Sequence, residues 1–163
     1  MLSACPDGSE AFVSCTIEDG RKSLDVCLEG DIVTYRFGEV GQPPELAMSV
    51  PVREVEFEPW PGVSRSIWEA VTFRRGDYAY EVFGGFHRET NHETEEVETE
   101  PFGGVSVRRG EERVAQLNCD PGPTGYGFSS AIYDAKVDAG QCWDNREFVW
   151  KEGRASGGLC AGR

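Results

Sequence analysis

The chain has 163 residues, 39% of them hydrophobic, and a formal net charge of −13. That length suits one domain that buries roughly 70% of its unfolded surface, and four Trp, five Tyr and nine Phe argue against disorder over most of the chain. An acidic surface repels phosphate backbones, so the charge disfavours nucleic-acid binding and favours basic partners.

The six cysteines form an even set without a C-x-x-C pair or a Cys/His cluster of zinc-ligand spacing. Disulfides persist only in oxidising compartments, so this set predicts export to the periplasm, the cell surface or the medium. Leu2, Ser3 and Ala4 match the small residues that precede a lipidated cysteine in bacterial lipoproteins, which makes Cys5 a candidate lipid anchor. Only Met1 comes before them, so we expect a processed or trimmed form. No segment approaches the ~18 apolar residues of a membrane helix.

Period-two alternation of apolar and polar residues recurs along the chain and predicts antiparallel β structure. The first strand covers 13–17 and ends at the Asp19-Gly20 turn. Strands follow over 24–29 and 33–37, and a loop containing Gly and Pro covers 38–44.

Acidic residues alternate with apolar ones in the next strand, 54–58. Two later hairpins share a turn in which Arg-Arg-Gly precedes an acidic residue. The first hairpin joins 67–73 to 78–83, and the second joins 104–107 to 113–119.

Residues 89–100 contain six Glu and no aromatic side chain, which predicts a flexible acidic loop. Residues 153–163 indicate a loose Gly-rich tail, and 128–137 fit either a helix or a strand. Together these elements predict one all-β domain over 1–163, an antiparallel barrel or sandwich of about eight short strands stapled by disulfides.

The same alternation favours some cysteine pairings over others. Cys15 lies on the apolar face of its strand and Cys27 on the polar face of the next, so a bond between them would oppose the pleat. Cys119 shares a face with apolar residues, which favours pairing with Cys15. The other four cysteines can still pair in three ways, and of these we favour Cys5 with Cys27 and Cys142 with Cys160. If Cys5 is lipidated instead, one thiol stays free, and Cys160 is the natural candidate.

The chain has two histidines, and one lies inside the acidic segment. Imidazole and carboxylate groups are ordinary ligands of zinc and manganese, so this segment is a candidate metal site. The second histidine of an H-E-x-x-H motif is missing, and a solvated acidic loop is the competing interpretation. The candidate ligands are His87, His92, Glu93 and Glu96.

Other chemical signals are less specific. The segment from Gly127 to Ala131 lacks the second glycine of a nucleophile elbow, and carboxylates are too numerous for their spacing to be informative. We therefore assign no catalytic residue and no cofactor and expect a protein without enzymatic activity. The tryptophans fit either a core or a carbohydrate or peptide groove; they are Trp60, Trp68, Trp143 and Trp150.

Several spaced motifs carry a resemblance to a known family. They are the spacing of Cys5, Cys15 and Cys27, Tyr35-Arg36-Phe37-Gly38 with Pro44-Glu45-Leu46, and Val105-Ser106-Val107 leading to Val114-Ala115-Gln116-Leu117-Asn118-Cys119. Over most of residues 5–119 the chain resembles a family of uncharacterised exported bacterial β-proteins with paired cysteines. The resemblance implies export and a β fold, and that family offers no activity to carry over.

A second resemblance covers Phe12 through Val26, where a strand with an aromatic residue and a cysteine precedes the Asp-Gly turn. This segment is similar to the periplasmic and membrane-bound inhibitors of c-type lysozyme, which are small β-barrels. Those inhibitors place a Ser- and Gly-rich loop followed by Tyr in the lysozyme cleft, and this chain has no counterpart. The resemblance therefore implies a class of function and no residue roles.

We therefore expect an exported binding protein without enzymatic activity, whose acidic surface engages a basic protein partner. An inhibitor of lysozyme is one concrete form of this hypothesis. The alternatives are a metal-binding protein or enzyme centred on residues 87–100, and a structural component of a surface assembly.

Overall fold

A computed structural model describes residues 5–61, 66–121, 131–153, 155–156 and 158–160. The first sheet is a meander of β1 (Glu10–Ile17), β2 (Lys22–Glu29), β3 (Ile32–Glu39) and β4 (Leu46–Pro51). The second is a meander of β5 (Glu56–Glu58), β6 (Ser66–Arg75), β7 (Tyr78–Thr90), β8 (Val97–Arg109) and β9 (Glu112–Asn118). Then follow α1 (Ala131–Asp138), β10 (Gln141–Asp144), β11 (Val149–Glu152), β12 (Ala155–Ser156) and β13 (Leu159–Cys160). The last four strands form a small sheet in the order β11-β10-β13-β12.

The two large sheets pack face to face as a sandwich, which confirms the all-β prediction. Alternate residues of each strand enter one shared core, because side chains on a strand point to opposite faces in turn. Aromatic contacts cross the interface: the Phe12 ring lies 6.1 Å from that of Phe57, and the Tyr35 ring lies 5.4 Å from that of Phe73. Ile132 of α1 completes the same cluster, so the helix packs at the margin of the sandwich.

The disulfides join Cys15 with Cys119, as the alternation favoured, and also the two other pairs that we expected, and no cysteine is free. The bond between Cys15 and Cys119 connects β1 to the residue that follows β9, so it ties the first sheet to the second. The Asp120 carboxylate adds a second tie, since it accepts hydrogen bonds from the Thr16 hydroxyl and from the backbone N–H of Gly20. Cys5 Sγ is bonded to Cys27, so the sulfur that a lipid anchor would need is already used.

Several predicted boundaries were wrong. The described residues form thirteen strands rather than about eight. β4 was not predicted, and the 54–58 strand is limited to Glu56–Glu58. The predicted 153–163 tail contains β12 and β13, and the bond between Cys142 and Cys160 holds β13 against β10. The ambiguous segment is helical over its described part, Ala131–Asp138, while 128–130 lie outside the described residues.

Close approach of β8 and β9 requires glycine at position 104. A Cβ atom there would overlap the backbone carbonyl oxygen of Leu117 and would lie 3.0 Å from Cζ of Phe83. We expect Gly104→Ala to reduce the free energy of unfolding by about 1–3 kcal/mol, the usual cost of overpacking, as measured by urea denaturation.

Ser106→Ala on the same strand is the matched control. It removes a buried hydroxyl that has no hydrogen-bond partner in the described part of the chain, so it should leave stability unchanged or raise it. Equal losses in Gly104→Ala and Ser106→Ala would contradict the packing argument.

Candidate binding surface

The second sheet extends beyond the sandwich as a two-stranded ribbon. β7 and β8 stay in register from the pair His87 and Glu100 to the pair Thr90 and Val97. β6 begins opposite His87, and β9 ends opposite Gly104, so among the described residues the outer parts of β7 and β8 pair only with each other. We call residues 88–100 the acidic ribbon.

The tip of the ribbon is a hydrogen-bonded turn. The Asn91 carboxamide oxygen accepts a hydrogen bond from the backbone N–H of Glu93, and the Asn91 carbonyl accepts one from Glu95. Glu95 adopts a left-handed conformation with φ 60°. Residues other than glycine and asparagine adopt this conformation mainly in turns. The predicted loop over 89–100 was therefore wrong in extent, because the ladder continues on both sides and only 91–96 form the connection.

The acidic ribbon concentrates unpaired negative charge. All six of its glutamates are exposed, and none forms an ion pair with another described residue. Glu89 lies directly opposite Glu98, an arrangement in which like charges destabilise a strand pair. Arg88 is the only Arg or Lys of the ribbon, and its guanidinium lies 5.8 Å from the ring of Trp60. A positively charged group placed beside the ribbon would reduce the repulsion between its glutamates.

The structure does not bring the predicted metal ligands together. His87 lies on β7, where its Nδ1 is 2.5 Å from the Ser66 hydroxyl and its ring stacks on Phe102 at 4.4 Å. His92 lies in the turn, and the strand from His87 to Thr90 alone spans roughly 10 Å. The described part of the chain contains no group of three or more His, Cys, Asp or Glu that could hold a metal ion. An extended ribbon separates residues that a compact loop would have gathered.

The tryptophans divide between different environments. Trp143 and Trp150 line a cleft between the small sheet and the edge of the second sheet. Trp60 lies beneath Arg88, and Trp68 lies on β6 opposite Gly85. Two of the four tryptophans, Trp143 and Trp150, therefore line this cleft.

One buried ionisable group was missed by the sequence analysis. Glu69 alternates with Val71 and Phe73 on the core-facing side of β6 and is 4% exposed. Its Oε1 atom has no hydrogen-bond partner among the residues that the structure describes. Burial, assisted by the charge of Asp134, raises the pKa of Glu69 to about 7. A carboxylate on the apolar face of an alternating strand was the signal that could have identified it.

The remaining predictions concern other parts of the chain. Of the segment compared with a nucleophile elbow, residues 127–130 lie outside the described residues. No described helix has the length and apolar character that crossing a bilayer demands. Comparisons with protein-family models, curated proteins and solved structures gave no match for this chain.

Proposed function

We propose that this chain is an exported binding protein without enzymatic activity, and that its acidic ribbon engages a basic protein partner. The observation that carries the proposal is the ribbon geometry: six exposed carboxylates, which form no ion pair with another described residue, project beyond the sandwich on the paired strands and the turn that joins them. Paired strands hold the charges in a defined arrangement, which reduces the entropy lost on binding. The net charge of −13 adds long-range attraction for a basic surface.

Three disulfides among the described residues support export, since such bonds survive in oxidising compartments. The partner would then be a basic protein of the cell envelope or its surroundings. Lysozyme is the concrete candidate, because the resemblance of Phe12 through Val26 to lysozyme inhibitors implies this class of function. Val97 on the ribbon is 61% exposed and offers an apolar contact beside the charges.

Binding of c-type lysozyme tests the proposal most directly. We expect the purified chain to bind it at low ionic strength and to bind it less tightly near 0.15 M salt, where the Debye length falls to about 8 Å. The double variant E89Q/E98Q removes the opposed charge pair and should weaken binding by about tenfold, which corresponds to ~1.4 kcal/mol. Calorimetry and inhibition of cell-wall lysis would measure both effects.

A matched control removes the same charge elsewhere. Glu111 and Glu112 lie at the hairpin between β8 and β9 and are also exposed, so E111Q/E112Q should change affinity by less than about twofold. Equal losses in the two double variants would reduce the effect to net charge and contradict a role for the ribbon. If the chain binds no c-, g- or i-type lysozyme at low salt, lysozyme is not the partner. If a pull-down from a mixture of basic proteins captures none whose binding is lost in E89Q/E98Q, the wider proposal is wrong.

A further inference from the structure

A cleft of about 510 Å³ opens between the small sheet, α1 and the edge strand β5. This volume is in the range of small-ligand sites. The cleft lies away from the acidic ribbon and combines three chemical features: a buried cation, an aromatic wall and a wall of carboxylates.

The buried cation is Lys136 of α1, which is 1% exposed. Its ammonium group donates one long hydrogen bond, 3.4 Å, to the Gln141 side-chain oxygen and lies 5.4 Å from the centre of the Trp150 ring. A lysine ammonium carries three donors, so this contact leaves donor capacity within the cleft. Burial, together with the nearby charge of Arg53, lowers the pKa of Lys136 to about 8.

The aromatic wall is held in place before any ligand arrives. The Trp150 indole N–H donates a hydrogen bond of 2.8 Å to the Phe57 carbonyl, and the Trp143 ring lies 5.5 Å from that of Trp150. Phe148 at the rim is 63% exposed and has a φ of 56°. A bulky residue rarely adopts this conformation without a compensating role.

The turn that carries Phe148 is stabilised by its own hydrogen bonds and an ion pair. The backbone N–H of Phe148 donates to the Asp144 carbonyl at 2.8 Å, and the Asp144 carboxylate accepts hydrogen bonds from the backbone of Arg146 and Glu147. Lys151 pairs with Asp144 at 2.8 Å across the turn. The exposed ring is therefore presented by an ordered turn at the mouth of the cleft.

The acidic wall comes from the β5 region. Glu56 is bound in two places by the Arg74 guanidinium, at 2.6 and 3.0 Å. The carboxylates of Glu54 and Glu58 have no ion-pair partner among the described residues and remain acceptors for ligand donors.

We propose that this cleft binds a neutral saccharide, seated between Phe148, Lys136 and the carboxylates of Glu54 and Glu58. A sugar unit presents hydroxyl donors for carboxylates, oxygen acceptors for an ammonium and an apolar C–H face for an aromatic ring. The carboxylates of Glu54 and Glu58 repel an anionic ligand, and the Lys136 ammonium repels a cationic one. A neutral polyhydroxylated ligand satisfies all three features.

The β5 edge disfavours an extended peptide as the occupant. Adding a strand to a sheet edge requires free backbone groups, but β5 has only three residues and its Phe57 carbonyl is occupied by Trp150. Pro59 follows directly and cannot donate a ladder hydrogen bond.

Heteronuclear NMR titration of the full chain tests the proposal, with tryptophan fluorescence as a second readout. The probes are tri-N-acetylchitotriose, cellotriose and maltotriose, compared with triglucosamine, trigalacturonate and the tripeptide lysyl-tryptophyl-lysine. At least one neutral trisaccharide should shift the indole resonances of Trp143 and Trp150 at millimolar concentration.

Phe148→Gly relieves the unusual φ and removes the ring, so it should keep the fold and weaken binding about tenfold.

Lys136→Met removes the cation but keeps much of the apolar stem, and it should also weaken binding about tenfold. Tyr78→Ala, which removes another exposed aromatic ring away from the cleft, is the control and should change affinity by less than about twofold. The proposal is overturned if no neutral trisaccharide binds, if the tripeptide or a charged trisaccharide binds more tightly, or if Phe148→Gly and Lys136→Met leave the affinity unchanged.

Discussion

The double variant C15A/C119A should lose about 4–5 kcal/mol of unfolding free energy, the largest effect of any single disulfide in this chain. The bond closes a loop of 104 residues, and the stabilisation from restricting the unfolded chain grows with the length of the loop, reaching about 4.7 kcal/mol near 100 residues. It also joins the two sheets at β1, beside the tie that Asp120 makes to Thr16. Guanidinium denaturation monitored by circular dichroism would measure the loss.

The double variant C142A/C160A is the matched control, because Cys142 is 3% exposed, as is Cys15, and its bond spans only 18 residues. It should lose about 3 kcal/mol on the same reasoning. Its effect should be local to the small sheet and therefore to the cleft, while C15A/C119A should loosen the packing between the large sheets. A larger loss in C142A/C160A than in C15A/C119A would contradict the loop-length argument.

The pairing of Cys15 with Cys119 could be favoured from the sequence because the pleat is a local property. Alternation places Cys15 and Cys27 on opposite faces whatever the rest of the fold does, so a bond between them is disfavoured by geometry alone. The turns at Gly76 and Gly110 were predictable for a similar reason, since both glycines have positive φ, 59° and 63°.

Strand extent was less predictable because composition says little about register. The glutamates of residues 89–100 suggest a loop, but pairing of β7 with β8 begins in their apolar parts and continues outward to Thr90 and Val97. In β4, Leu46 and Val50 alternate as in any half-buried strand, yet prolines shortly before the strand and at its last position, Pro51, make the segment resemble a loop.

The cleft depended on long-range contacts that no local pattern contains. Trp143 pairs with Leu159 in a parallel arrangement that brings the end of the chain beside β10. Phe57 and Trp150, separated by 93 positions, then meet through one hydrogen bond. Identifying which tryptophans line a groove therefore required the tertiary structure.

Glu69→Gln should stabilise the protein above neutral pH and leave it nearly unchanged near pH 4. The carboxyl is buried on the core-facing side of β6, one oxygen has no hydrogen-bond partner among the described residues, and burial raises its pKa from 4.5 to about 7. Well below pH 4.5 the group is protonated in both states, so its ionisation does not reduce stability. As pH rises towards 7, the unfolded chain releases the proton first, so stability falls by about 1.4 kcal/mol per pH unit. The total loss above pH 7 is about 3 kcal/mol.

Glutamine keeps the shape of the side chain and removes its titration, so urea denaturation of Glu69→Gln at pH 4 and pH 8 should show a gain of about 3 kcal/mol at the higher pH only. Asp134→Asn should give a smaller gain of the same sign, because the Asp134 charge is the lesser cause of the raised pKa. Glu112→Gln, at an exposed position, should change stability by less than about 0.5 kcal/mol at either pH. If Glu69→Gln has the same effect at both pH values, the buried carboxyl does not titrate in this range. The buried carboxyl of Glu69 therefore lowers the free energy of unfolding at neutral pH, and the gain in Glu69→Gln measures by how much.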